Sequence, residues 1–504
     1  MTKSYADFMN EISASELYEG LLAYGLFSEK LPPVFSSVDF YNYTQKLKNS
    51  FANNRKDYIY YESMRNINIP RPLGIPNPMA YQRLCKYLSD NWEKLKEYFY
   101  QQTSMQTYKV SRIHIRKRRG TKSLFEMNYS NWEIDGTPET DLLIGKRYLV
   151  KADISTCFAS IYTHSISWAL VGKEYAKKHI QNKYSKEWYN RIDHYAQNCK
   201  NGETHGLLIG PHASNLLSEI ILTAIDKQLN DKGYRYVRNI DDYICYVEKY
   251  EDAQRFLTVL TNELRQFDLT LNFKKTEIRE LPIASVDIWV RKLRSINMVQ
   301  SKGILDFNAV SRYLDCAIEL MKVNKTNSAI LNYTIKVLSK QQLSNNAKKY
   351  YIKTVFHLSI LYPYLLPILE KNVFEIFTVE VHQIASFSQI LFKEGTNSNN
   401  YEEICFAIYY AIKYGFDIEE IKADLAIESN SCIYKLFVFL YFKVRCNTEE
   451  MDKLKQHAYT LLQSNEFDSN WLFVYEVLPQ SDLKDEWKNM KKENISFVKL
   501  QNIN

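Results

Sequence analysis

Glycine and proline divide this chain near residue 300. Residues 1–300 hold 11 of its 14 glycines and nine of its 12 prolines, while residues 301–504 hold three of each. These residues are the main interrupters of helix and strand, so the first part must be cut into short elements joined by turns. The second can run in long helices. Ala309, Val310, Tyr313, Leu314, Ala317, Ile318 and Met321 recur three and four apart, the pattern of one buried helix face. Polar stretches such as Gly395 to Asn400 read as connections between helices. An all-helical array of α-repeat, HEAT-like kind is expected there, without a visible repeat period.

The first part mixes both periods. Arg147 to Ala152 is apolar-rich and strand-like and runs into Asp153; Arg235–Val237 and Tyr243–Val247 flank an acidic pair like a short hairpin. Helical stretches intervene at Asn215–Asn230 and Glu251–Gln266. The fold class is therefore α+β, with a domain over 1–300 and a helical domain over 301–504. Residues 301–504 carry 23 Lys+Arg against 24 Asp+Glu, so the whole net charge of +7 lies in residues 1–300. A basic part beside a neutral part suits a chain that handles phosphates with one end.

Eight cysteines show no CxxC and no tight Cys/His spacing, and no cleavable signal opens the chain, which argues against a disulfide framework or zinc site. The longest apolar run, Val355 to Leu369, contains His357, Pro363 and Pro367 and reads as buried rather than membrane-spanning. A cytoplasmic protein is expected, with no membrane partner.

Two acidic segments carry the chemistry. Val150-Lys-Ala-Asp153-Ile-Ser-Thr-Cys-Phe158 ends a strand on a carboxylate, and Arg238-Asn-Ile-Asp241-Asp242-Tyr243 places two carboxylates in a turn. Acids crowded in this way repel, and burial raises their pKa values unless a cation neutralises them. Turn oxygens beside water and phosphates suit Mg²⁺. Two such ions, about 4 Å apart, can activate a hydroxyl and stabilise a leaving pyrophosphate. An Asp-Asp pair alone is also a common surface turn.

Their neighbours give the pair its setting. Arg71-Pro-Leu-Gly-Ile-Pro76, with Gln82-Arg83, precedes both acid sites; Gly206-Leu-Leu-Ile-Gly210-Pro-His-Ala-Ser214 lies between them; Leu269-Thr-Leu-Asn272-Phe-Lys-Lys275-Thr276 follows. This succession, over about 70–280, resembles the fingers and palm of reverse transcriptases. The resemblance implies that Asp153 and Asp241, with the Ile154 carbonyl, hold two Mg²⁺ ions (Mn²⁺ as a substitute), and that Asp242 completes the acidic triad. It implies further that Arg71 clamps the triphosphate, that Phe158 excludes a 2′-hydroxyl, and that Lys275 lies near the pyrophosphate as a general acid. Gly210 and Ser214 fall in the nucleotide-binding segment.

The chain also departs from that pattern. Templated members usually carry Pro-Gln-Gly where this chain has Leu208-Ile209-Gly210, and Ser-Pro where it has Ser214-Asn215. Asn239-Ile240 replaces an aromatic and a small residue before the acids. A palm with these changes and a long helical region resembles the bacterial abortive-infection, AbiK-like reverse transcriptases. That resemblance implies template-independent, protein-primed DNA synthesis from deoxynucleoside triphosphates, a single-stranded product held covalently, and a homo-oligomer (trimer or hexamer) that blocks phage growth. A templated, retron-like RNA-dependent DNA polymerase and a non-catalytic nucleic-acid-binding scaffold stand as alternatives.

Tyr108 to Lys122 adds a basic run. Arg112-Ile-His-Ile-Arg116 alternates like a strand with one charged face, followed by Lys117, Arg118 and Arg119, with Tyr108, Phe125 and Tyr129 nearby. Such a ribbon could track a single strand. His205 and His212 have no metal or triad spacing. The priming hydroxyl stays open; Tyr5, Tyr18, Tyr24, Tyr41 and Tyr43 are among many candidates.

Overall fold

The computed structural model describes residues 3–499 apart from 49, 66–68, 128–131, 180–186, 285, 297, 299, 302 and 326. Its centre is a four-stranded antiparallel sheet made of β3 (Tyr148–Asp153), β4 (Tyr236–Asn239), β5 (Asp242–Val247) and β6 (Glu277–Glu280), in the order β4-β5-β3-β6. Helix Tyr250–Gln266 packs on β3 and β5 with Phe256, Leu260 and Leu264 buried. Its first turn carries Glu251 and Asp252 and its last Arg265, the charge placement a helix dipole favours. Helix His212–Asp231 runs between that helix and helices Trp92–Thr103 and His164–Val171, and so is buried on nearly every side.

A second, two-stranded sheet lies beside the first. Strands β1 (Tyr58–Met64) and β2 (Pro70–Pro76) pair antiparallel, with Ser63 opposite Arg71. The segment before helix His212–Asp231 runs along β2, where the Gly74 N–H donates to the Ile209 carbonyl at 2.9 Å.

Beyond residue 304 the chain is mainly helical. In helix Phe307–Val323 the face Ala309, Val310, Tyr313, Leu314, Ala317 and Met321 is buried as its spacing predicts, with Ile318 partly so. Helices Val381–Ser398, Tyr401–Tyr414 and Cys432–Val444 then pack in sequence. Two expectations need correction. The region is not purely helical, because β7 (Gln300–Ser301), β8 (Ile304–Leu305) and β9 (Gln342–Leu343) form a small sheet. Gly395 to Asn400 is not a linker either: the helix continues through Ser398, and Asn399, at φ +54°, turns the chain. A Cβ on Gly395 would lie 2.9 Å from the Glu403 side chain and 3.1 Å from the Asn400 carbonyl, so glycine there lets two helices meet.

Val355–Leu369 is broken by Pro363 and is largely buried, with Val355, Leu358, Leu365, Leu366 and Leu369 in the core. Among the described residues no helix is long and apolar enough to cross a membrane. The last strand-like segment returns to the start of the chain: Ser36 N–H donates to the Phe497 carbonyl (2.9 Å) and Lys499 N–H to that of Val34 (2.8 Å). One apolar core therefore runs from Tyr5 to Val498.

Candidate active site

Antiparallel register brings the two acidic segments together. Asp153 ends β3 directly opposite Asp242, the first residue of β5, and the Ile154 N–H donates to the Asp241 carbonyl at 3.1 Å. Ile240 and Asp241 form the two-residue connection of the β4–β5 hairpin. Ile240 sits at φ +59°, a left-handed conformation that a β-branched side chain resists. Its carbonyl is held by Arg238, whose Nη1 donates to it at 2.8 Å. Arg238 is wholly buried and is itself fixed by Glu219 (3.1 Å) and Asp226 (2.6 Å), both from helix His212–Asp231. The Tyr236 hydroxyl donates to the same Asp226 at 2.8 Å. A buried ion cluster thus underpins the strained turn.

The acids above it have far less neutralising charge. Asp153 accepts from Asn272 Nδ2 at 3.0 Å and pairs with the largely exposed Lys275 ammonium at 3.1 Å. Burial and the charge of Asp153 raise the pKa of Asp241 against the opposing pull of Lys275 and Arg71. Partial desolvation, then Asp241 and Asp153, push Asp242 up to about 6. Like-charged carboxyls held this way favour an added cation. Among the described residues no three His, Cys, Asp or Glu side chains converge into a cation site by themselves. A cation bound at this edge would therefore need the Ile154 carbonyl, water or phosphate oxygens, the ligand mix typical of Mg²⁺. The donor set fits, and Lys275 is the positive charge now seated on Asp153.

Arg71 approaches from β2. It is half-buried, its Nε has no hydrogen-bond partner, and its pKa is lowered by burial and by Arg65 against the attraction of Asp241. An orphaned guanidinium nitrogen near an acid edge suits an incoming anion. Phe158 is buried in the short turn Cys157–Ser160, and its carbonyl accepts from the Leu207 N–H at 2.7 Å. Gly210, at φ +124°, and the buried Ser214 in the first turn of the following helix complete that seam.

The basic run requires correction. Arg112 and Arg116 are buried and do not form a charged ribbon. Arg116 and Lys109 close on the Asp135 carboxylate at 2.9 and 2.5 Å, and Arg112 donates to the carbonyls of Asp135 and Gly136. Burial, then Arg116, lowers the Lys109 pKa to about 7. The backbone of this segment lies along β4: Arg238 N–H donates to the Val110 carbonyl (2.9 Å) and Arg112 N–H to that of Arg238 (2.8 Å). Alternation suggested one solvated face, but Asp135, a distant residue, draws the charges inward. Lys117 pairs with Glu16, Arg118 with Glu126, and Arg119 is exposed. Tyr129 lies outside the described residues.

Among the tyrosines, Tyr5, Tyr18 and Tyr43 are buried, and Tyr24 and Tyr41 are intermediate. His212 is also buried, packed on Phe125 and lowered to about 4 by burial and Arg118. Sequence reasoning missed Arg238, Glu219 and Asp226 as supports of the turn. The available signal was a pair of acids seven apart in the mainly apolar stretch 216–226.

Residues 70–304 match the family model described as reverse transcriptase (RNA-dependent DNA polymerase). No curated protein matches the sequence. Among solved structures, apo telomerase from Candida tropicalis is 13% identical, with 74% of this chain and 71% of that chain covered, at a TM-score of 0.31. Telomerase from Candida albicans, with a TWJ fragment of telomeric RNA, is 13% identical over 84% of this chain and 66% of that one, at 0.30. Residues 70–304 are therefore a reverse transcriptase domain, an enzyme domain of the nucleotidyltransferase, DNA polymerase type.

Proposed function

We propose that this chain is a Mg²⁺-dependent DNA polymerase of reverse-transcriptase type that extends a protein-borne hydroxyl without a template and acts in cytoplasmic abortive-infection defence against phage. The observation that carries the polymerase reading is the edge where Asp153, Asp241 and Asp242 crowd together, with Lys275 on one acid and the charge of Arg71 acting on another. Asp153, Asp241 and the Ile154 carbonyl would hold the ions. When bound, these would supply charge neutralisation at the attacking and leaving oxygens. Mn²⁺ would substitute on the same oxygens.

The chain's own residues do the rest. Arg71 binds the triphosphate through its planar guanidinium. The attacking hydroxyl gives its proton to water as its oxygen bonds to the α-phosphorus, the bond to pyrophosphate breaks, and Lys275 protonates the leaving oxygen. Phe158, buried five residues after Asp153, excludes a ribose 2′-hydroxyl. Template independence is supported by Ile209, an apolar side chain where templated members carry Gln. The homo-oligomer, trimer or hexamer, is testable by light scattering.

The deciding experiment supplies purified protein, Mg²⁺ and one labelled deoxynucleotide, with no template or primer. Label that migrates with the protein on a denaturing gel and is released by protease supports protein-primed, untemplated synthesis. Incorporation that waits for RNA and a primer overturns it in favour of templated RNA-dependent synthesis, the second reading, which the description of the matched family favours.

A further inference from the structure

Two carboxylates of the C-terminal helical region grip the β1–β2 hairpin at its opposite ends. At one end Glu402 takes both available donors: Ser63 Oγ donates to one carboxylate oxygen at 2.9 Å and Met64 N–H to the other at 2.6 Å. At the other end a single oxygen of Asp468 accepts from Lys56 Nζ and Asn77 Nδ2, each at 3.2 Å. Lys56 precedes β1 and Asn77 follows β2, so Asp468 ties the two open ends together. Between these anchors Ile59 and Tyr61 are buried, and β1 packs on helices Tyr401–Tyr414 and Cys432–Val444.

A two-stranded hairpin is marginal by itself, so its place beside the palm must come from what it leans on. Ser63, the residue Glu402 holds, is the cross-strand partner of Arg71. Glu402 is fully buried and its two oxygens are both engaged, which leaves little freedom for the strand end. On its far side β2 is tied to the Ile209 segment. Arg71 therefore sits on a strand held from both flanks, one of them belonging to the helical region.

We infer that Glu402 and Asp468 are positioning residues through which the C-terminal helices hold Arg71 beside the acid edge before a nucleotide arrives. This rests on the reading of Arg71 as the triphosphate ligand. It gives the helical region a part in nucleotide binding: binding energy is not spent on ordering the hairpin.

The test uses the full-length chain and reads kcat and KM for a labelled deoxynucleotide, under whichever template condition supports synthesis, with amide hydrogen exchange over residues 58–76. Glu402→Ala should raise KM about tenfold through the loss of its buried hydrogen bonds to the strand end, leave kcat within about twofold, and speed exchange in β1. Glu402→Gln retains an acceptor for Met64 N–H and a polar partner for Ser63, and should restore KM to within about threefold. Asp468→Asn, a milder change at the other end, should raise KM about threefold and serves as the deciding variant if Glu402→Ala does not fold. Unchanged KM in these variants, or a fall in kcat with KM unchanged, overturns the inference. Arg71→Ala separates the two readings. A KM unmoved by it removes the Arg71 assignment, whereas a KM raised by it and unmoved by Glu402→Ala removes the positioning role alone.

Discussion

At the edge of the palm sheet Asp153, Asp241 and Asp242 face one another, with the largely exposed Lys275 as the cation in direct contact. One layer below, Glu219 and Asp226 close on Arg238, which is wholly buried and has every guanidinium nitrogen engaged. The two clusters are joined through Arg238 and the Ile240 carbonyl, yet their chemistry is opposite. In the lower one each acid is bonded directly to a buried cation and the cluster holds a shape; in the upper one only Asp153 has a cation in contact, and that cation is largely exposed. A negative edge above a rigid, internally bonded base is what a site for cations and phosphates requires. The Asp135 cluster follows the lower pattern, which is why Arg112 and Arg116 belong to the interior.

The sharpest break of this comparison is Asp241→Ala with Asp242→Ala. Incorporation should fall by about a thousandfold or more, since charge stabilisation at a metal-dependent centre supplies several kcal/mol. The melting temperature should hold or rise, because mutual repulsion is removed. Activity surviving the double change would dismiss the upper cluster as the catalytic centre.

Arg238→Met should act in the reverse sense. It leaves Glu219 and Asp226 buried without their cation and should cost about 3–5 kcal/mol of stability in a denaturant titration. A loss below about 1 kcal/mol would mean that the lower cluster does not underpin the turn.

Glu402 offers a subtler test. Burial raises its pKa to about 8, opposed by the Met64 and Ser63 hydrogen bonds and by Lys30, and assisted by Glu403. The folded chain thus keeps a proton that the unfolded chain releases near the ordinary value of 4.5. Its contribution to stability is full below that value and is lost as pH rises through about 8. Glu402→Gln cannot titrate, so its loss of stability between pH 5 and 8.5 should be smaller by about 4 kcal/mol. Equal pH slopes for the two proteins would count against a proton held there.

The smallest effect is expected at Arg119, which is exposed. Arg119→Ala should leave stability within about 0.5 kcal/mol. If the residue meets a phosphate, the salt slope of single-strand binding should shrink by about 0.7. An unchanged slope would exclude Arg119 from the nucleic-acid contact.

Local features are legible in the order of residues. The acid pair between two apolar runs is a hairpin because a tight turn and period-two alternation are decided within a dozen residues. The buried face of helix Phe307–Val323 follows from spacing alone. The order of the acid, glycine and lysine segments points to a reverse transcriptase domain for the same reason, since each motif is short and contiguous. Gly395 to Ser398 misleads, because polar composition marks solvent access and not the end of a helix; packing against Glu403 and Ile404 keeps the helix going.

Sequence by itself therefore determined the strand that ends in Asp153, the hairpin that presents Asp241 and Asp242, and the change to long helices after residue 300. Tertiary structure alone decided which charges face water and what holds the β1–β2 hairpin. Asp135 lies 19 residues from the arginine it neutralises, and Glu402 lies 339 residues from Ser63. Such pairings depend on the summed burial of elements that no local pattern encodes, and a buried charge goes wherever the fold supplies its partner.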